Sequence, residues 1–584
     1  MKIKHLFGLA IIAAMTASCS SNEDLGTAGP GTGTNEAGVG YAIFTINLPS
    51  VSGTRAADAG GAEMNEGTEE EYAVKSATAL IFQKYGSDEG SYKFVESVTL
   101  PIDGWKDDPT DGITTTSKKL VAKLTNVDTK NDYSVLILLN NNKTGGGAKV
   151  ELPTAGQSYN DWNSKILTPS VTDWAGSDGF YMANAPLKGS ADSPATLVSI
   201  DKDKIYASEA EANKPTNDCA ATVFVERGVA KMTVAAPGTI TVKDKATTKP
   251  TKSQVTFSNW ALDITNKKTF AVHNIDGLSS DFSTIWNTDP SNRFIGTNNR
   301  VYWGKDPNYD KNELKLTDEA VAKRKDEFNF ITATSEINKD FTNTTNTNPV
   351  YCLENTFNLA NMYQGQTTRV IFKATYTPKD DAGNPLADKD GTFYTIGNMK
   401  TILNTDKLKA AVDAVANPVL PTGYTIDYTN FKTEGSHVIT LADIKDSTGT
   451  TLVADKVYSG KTGTEIVKEI NDKLGLKAGR PEEMVGINTY FKGVTYYIAR
   501  VKHFGSLTPW SSGDSYGTDN GKYLGRYGML RNNWYDLTVG NVYGPGYPGV
   551  PPVDPTQPDD ENEKYLSVSV KILSWAKRSD TVDL

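Results

Sequence analysis

The chain has 584 residues and a net charge of −10, from 60 basic and 70 acidic side chains. That length makes room for about two to four domains, and the acidic balance argues against nucleic acid or anionic lipid as the main partner. Apolar residues at 38% and aromatics at 9% suffice for packed cores, while plentiful Gly, Thr, Asn and Asp suit strands joined by turns.

Residues 1–18 read as a signal peptide. Lys2 and Lys4 precede an apolar run over 6–17, too short for the roughly 20 residues of a membrane-spanning helix. Cys19 follows Ala17 and Ser18, the setting of a lipoprotein signal in which the thiol is lipidated, although Thr16 stands where Leu is usual. Ordinary secretion with an unrelated Cys is the alternative. Two or three acyl chains, at about 0.8 kcal/mol per buried methylene, hold a protein on a membrane far better than one. Residues 19–40 then form a flexible lipidated tether of Ser, Gly, Thr and Asn.

From 41 to 48 the residues alternate. Ala42, Phe44, Ile46 and Leu48 share one face, and Tyr41, Ile43, Thr45 and Asn47 the other, the period of a half-buried strand. A soft loop follows in which Arg55–Ala56 is open to a trypsin-like protease. Strands are expected at 73–83, 92–100, 118–125, 132–140, 196–200 and 222–236, and a first domain spans 56–236. Arg227 and Lys231 read as solvated rather than catalytic.

A second domain spans 237–543, with strands at 239–243, 252–263, 268–273, 367–377, 392–396 and 493–502. Two helices interrupt it. The first, 405–416, stops at Asn417–Pro418. The second, 464–474, puts Ile466, Val467, Ile470 and Leu474 on one face and has Gly475 as its C-cap. Both read as helices packed over a sheet edge. Six prolines between 545 and 558 make 544–564 an extended arm, spanning about 3.1 Å per residue. In the last segment, 565–584, Leu566, Val568, Val570 and Ile572 alternate with polar residues as a strand. On such an arm it can reach a surface far from its own domain. The class is all-β with minor helix, in two sandwich-like domains.

Reactive constellations are missing. No HExxH, CxxC, GxSxG or Walker loop occurs, so no enzyme activity and no cofactor are expected. His5, His273, His437 and His503 form no ligand-spaced pair; His503 reads as a surface or turn residue. Cys219 and Cys352 could pair in an oxidising compartment or be two buried thiols. Asp380, Asp381, Asp388 and Asp390 could offer oxygens to calcium, but the EF-hand order fails, and a solvated hairpin loop is the simpler reading. No metal is expected. Exposed aromatics could stack on sugars; core and turn roles are commoner.

Several stretches together resemble the major fimbrial subunits of Bacteroidales, the fimbrillins that build type V pili. They are the Cys19 start, GVAKMTV (228–234), YCLENT (351–356) with TTRVIFKATYT (367–377), YYIARVKHFG (496–505), YGMLRNNWYDLTVGNVYGPGYP (527–548) and the terminal LSVSVKILSW (566–575). The resemblance covers most of the chain. It implies two β-sandwich-like (transthyretin-like) domains and a structural, adhesive role supporting colonisation. It also implies an outer-membrane lipoprotein precursor anchored by its lipid, and then an extracellular fimbria on the cell surface. An Arg-specific maturation protease cuts after the first strand, here at Arg55–Ala56. The strand leaves, and the C-terminal strand of another subunit fills the groove. Partners implied are other copies of the chain and accessory fimbrillins in a head-to-tail polymer, and host or bacterial surface receptors. An accessory or tip fimbrillin, or a surface glycan-binding lipoprotein, is the alternative.

Physical reasoning makes the scheme workable. Burying Ala42, Phe44, Ile46 and Leu48 contributes on the order of 5–8 kcal/mol, at about 1.5–3 per large side chain. Their loss leaves unpaired edges and an apolar slot that invites strand addition. Leu566, Val568, Val570 and Ile572 present a face of the same period and length. Head-to-tail insertion does not close on itself and so yields a filament.

Overall fold

The computed structural model describes residues 33–35, 38–49, 64–65, 68–103, 117–128, 130–143, 146–188, 194–278, 301–311, 318–341, 349–397, 401–477, 485–503, 524–553, 559 and 566–575; of 64–65, 318–322 and 566–575 it describes the backbone alone.

The first unit is built from β1 (Gly40–Asn47), β3 (Ala77–Gln83), β4 (Lys93–Leu100), β5 (Ser117–Leu124), β6 (Tyr133–Leu139), β7 (Met182–Asn184), β8 (Val198–Ile200), β9 (Ile205–Tyr206) and β10 (Ala221–Arg227). The two-residue β2 (Met64–Asn65) and the short helix α1 (Glu69–Tyr72) lie between β1 and β3. Pairing runs β9-β1-β10-β7-β6-β3-β4, with β5 on β1 and β8 on β6. β4 and β5 also touch, so the sheet folds around one core. β6 is buried along its whole length, as its Val-Leu-Ile-Leu-Leu run requires of a strand covered on both faces. α2 (Glu209–Ala212) covers the outer side of β1 and β9.

β11 (Val229–Val234) continues β10 across Gly228. A β-carbon on Gly228 would sit 2.5 Å from the Trp174 ring, so only glycine lets the strand pass this side chain. β11 pairs with β14 (Val350–Leu353) and with β20 (Asn533–Val542). The strand read from the sequence as closing the first domain therefore feeds the second core. Its sheet, β14-β11-β20-β21-β2, with β21 spanning Leu566–Trp575, shares a core with a four-stranded antiparallel sheet. That sheet comprises β12 (Thr239–Lys243), β13 (Pro250–Asp263), β15 (Arg369–Thr377) and β19 (Val494–Arg500). Met232, Phe257, Trp260, Phe372, Tyr497 and Leu537 meet between the two sheets.

Between β15 and β19 the chain builds a lobe of its own. A small sheet of β16 (Phe393–Ile396), β18 (Ile487–Tyr490) and β17 (Gly435–His437) carries α3 (Thr405–Ala416) and α4 (Gly463–Leu474). The helices share a core with Tyr394, Ile396 and Ile487, so they cover a separate lobe and not the edge of the main sandwich. The Asn404 side chain accepts from Lys407 N–H at 3.0 Å and starts α3; Gly475, at φ 70°, ends α4. Residues 268–273 form no strand. Thr269 makes only an isolated bridge to Leu167, and the Asn163 side chain takes the Val272 N–H at 2.9 Å.

Candidate functional site

β1 holds three of the four inner-face residues, with Leu48 following it. Ala42, Phe44 and Ile46 are fully buried and Leu48 nearly so, all in the main core. Outward-facing Ile43 is also buried, against Tyr206, Ala212 and Cys219. β1 is a central strand. It pairs antiparallel with β5 along its whole length, Gly40 opposite Leu124 to Asn47 opposite Ser117. On its other side it runs parallel to β10, Phe44 opposite Ala221 to Asn47 opposite Phe224, and antiparallel to β9 at Tyr41 and Ala42. Removing it would strip partners from three strands and uncover the core. Cys19, Arg55 and Ala56 lie outside the described residues.

β21, which carries Leu566, Val568, Val570 and Ile572, lies beside β20 of its own chain. The pairing is antiparallel, from Val542 opposite Leu566 to Asn533 opposite Ser574. On its other side β2, the first described strand after Arg55 in the sequence, pairs with Ser574 and Trp575 only. The side chains of β21 lie outside the described residues.

The first half of the proline arm is fastened to its own domain. Proline supplies no N–H, so the arm's carbonyls seek donors elsewhere. Tyr547 exchanges two backbone bonds with Tyr496, at 2.9 and 2.7 Å. The hydroxyls of Tyr497 and Tyr490 donate to the carbonyls of Gly544 (2.8 Å) and Gly546 (3.0 Å). Arg369 donates to Pro551 and Pro552 at 2.6 and 2.9 Å while paired with buried Asp263 at 2.8 Å. These pinning residues carry no motif, so the sequence reading missed them.

The junction between the two units is polar and buried. Lys231 Nζ lies 2.8 Å from Glu71 of α1, with both side chains almost wholly inaccessible, and sits 3.5 Å over the Trp534 ring. Arg227 Nε donates to the Glu71 carbonyl at 2.8 Å, and Tyr351 donates to the Glu71 carboxylate. Burial pushes the Lys231 ammonium below its usual range against the pull of Glu71. The sequence reading took Arg227 and Lys231 as solvated. They are buried because their strand passes between two cores and finds a carboxylate there. His503 is likewise buried, 2.8 Å from the Tyr535 hydroxyl, instead of lying on a surface turn. His273 pairs with Glu226 at 2.8 Å.

Cys352 is a free buried thiol, pushed up to about 12 by burial, so it does not pair with Cys219. Asp380 takes Asn384 N–H at 2.7 Å, Asp388 takes Thr405 N–H at 3.1 Å and Asp390 takes Thr392 N–H at 2.9 Å. These carboxylates shape turns, and Asp381 is exposed. Among the described residues no three acidic, His or Cys side chains converge as a metal set. Trp162, Trp174, Trp260, Trp303 and Trp534 are buried, which removes them as sugar platforms.

Residues 488–581 match the family described as major fimbrial subunit protein type IV, fimbrillin, C-terminal. No curated protein matches the chain. Among solved structures, a provisionally assigned cell adhesion protein of Parabacteroides distasonis ATCC 8503 aligns at 10% identity, over 92% of this chain and 97% of that one, with a TM-score of 0.35. A second such protein from the same organism aligns at 12% identity over 92% and 99%, also at 0.35. The tip fimbrial protein Mfa3 of Porphyromonas gingivalis, with a C-terminal truncation, aligns at 8% identity over 92% and 100%, at 0.28. The C-terminal part of the chain, residues 488–581, is thus similar to the C-terminal region of the fimbrillin major fimbrial subunits.

Proposed function

We propose that this chain is a structural, non-enzymatic subunit of a cell-surface fimbria. It is exported as a lipoprotein through Cys19, cut between Arg55 and Ala56, and polymerised by strand exchange. The observation that carries the reading is the position of β1. It is a central strand with a filled inner face, covered on its outer side at Ile43, and Arg55 follows it eight residues on in the sequence. Its departure opens a long apolar slot bounded by two strand edges, β5 and β10, and an alternating strand is the natural occupant. Until the cut, β1 acts as a plug against premature assembly.

An accessory subunit is the second reading. It is favoured by the pinned arm and by β21 lying on its own β20, which withholds a donor strand. Treating the secreted chain with an Arg-specific protease tests the proposal. In secreted material that contains the other fimbrial subunits, wild type is expected to give a ladder of SDS-resistant multimers and Arg55→Ala none. An Arg55→Ala chain that polymerises normally would sink the plug reading.

A further inference from the structure

The inner face of β1 fills the main core, but its outer face also has a specific seat. Ile43, 5% exposed, packs against Tyr206, Ala212 and Cys219, with Tyr41 and Val121 beside it. The short helix α2 supplies Ala212. Any strand that replaces β1 has to fill this second pocket as well as the core.

The chain's own C-terminal strand does not do so. Setting Leu566, Val568, Val570 and Ile572 on Ala42, Phe44, Ile46 and Leu48 places Ser567 at Ile43, Ser569 at Thr45 and Lys571 at Asn47. Sliding by two residues one way puts Ser569 at Ile43 and Lys571 at Thr45, whose hydroxyl is buried; a charged head there is costly to desolvate. Sliding the other way brings Tyr565 to Ile43 but puts Lys564 in the core at Ala42. A shift of one residue turns the apolar face outward. Running in the direction of β1, each register that keeps the core filled with apolar side chains leaves a serine over the Ile43 pocket; run in reverse, the same apolar set puts Lys571 there.

We infer that the slot vacated by β1 is shaped for the donor strand of a different fimbrial subunit. That donor is an extended segment with apolar residues at alternate positions and one more apolar residue on the opposite face, at the place of Ile43. This rests on the reading of β1 as a removable plug. The chain then has unlike neighbours along the fibre: a foreign strand fills its slot, and its own strand enters a slot without the second pocket.

Labelled peptides added to the chain after Arg-specific cleavage test this. The four peptides are residues 40–49, the same with Ile43→Ser, residues 565–575, and the same with Ser567→Ile. The first is expected to bind about tenfold or more tightly than its Ile43→Ser form, and Ser567→Ile to gain about as much over its parent. Equal binding within each pair would overturn the pocket's role while leaving strand exchange standing. Failure of even the 40–49 peptide to bind would overturn both.

Discussion

β1 and β21 carry the same alternating pattern and are held in opposite ways. β1 is paired on both sides, and its inner face fills the largest core among the described residues. β21 has one full-length neighbour, β20, and a two-residue contact with β2. If β21 leaves, β20 still has β11 at its other edge. Departure of β1 leaves β5 without its only strand partner among the described residues and opens the core. A period-two pattern thus fixes which face is apolar but not what the loss of the strand would expose. The pilus scheme needs both kinds: a strand whose absence is intolerable, so that it must be replaced, and a strand whose absence is tolerable, so that it can be lent.

The largest effect that could break this contrast is at Phe44. Phe44→Ala in the uncut chain should cost about 3–5 kcal/mol in chemical denaturation. Deleting 566–584 should cost less than that, and an equal or larger loss would erase the distinction. The proposed scheme also requires the chain that follows Arg55 to stay in place, and Glu71, buried between the two units, is its anchor. Lys231→Met leaves the Glu71 carboxylate buried without its cation and should cost about 3 kcal/mol. Adding Glu71→Gln should recover much of it, as a double-mutant cycle would show. On the side of the lent strand, Tyr490→Phe and Tyr497→Phe each remove one bond to the arm. About 1 kcal/mol apiece is expected, read as faster amide exchange at Gly546 and Tyr547 with β1 unchanged.

A pH-dependent effect concerns the slot's own unit. Burial lifts the Glu89 carboxyl from 4.5 to about 7, although the N–H groups of Thr196 and Leu197 pull the other way. The folded state therefore holds that proton more tightly than the unfolded chain does. The associated stability is complete below about 4.5 and is lost as pH rises through about 7. Glu89→Gln should flatten this part of the stability–pH profile.

The sequence revealed local elements well and their placement poorly. Both helices have nearly the expected bounds because their stops, Asn417–Pro418 and Gly475, are local chemistry. The inner face of β1 was readable from its period. Ile43 was not, because its cover comes from 206–219, far along the chain. Arg227 and Lys231 look like solvated charges in sequence, and only the meeting of two cores with α1 buries them. The prolines mark the arm in the sequence, but its described part, 544–553, bends at 548–550 and turns through Gly546 at φ 69°. What pins it, Arg369, Tyr490 and Tyr497, lies on strands up to about 180 residues away and has no sequence signal.

The central claim is that β1 is discarded on maturation. N-terminal sequencing of the surface-assembled form tests it most directly. The account predicts a single start at Ala56. An assembled subunit that still begins at Cys19, and so retains residues 40–47, would contradict it.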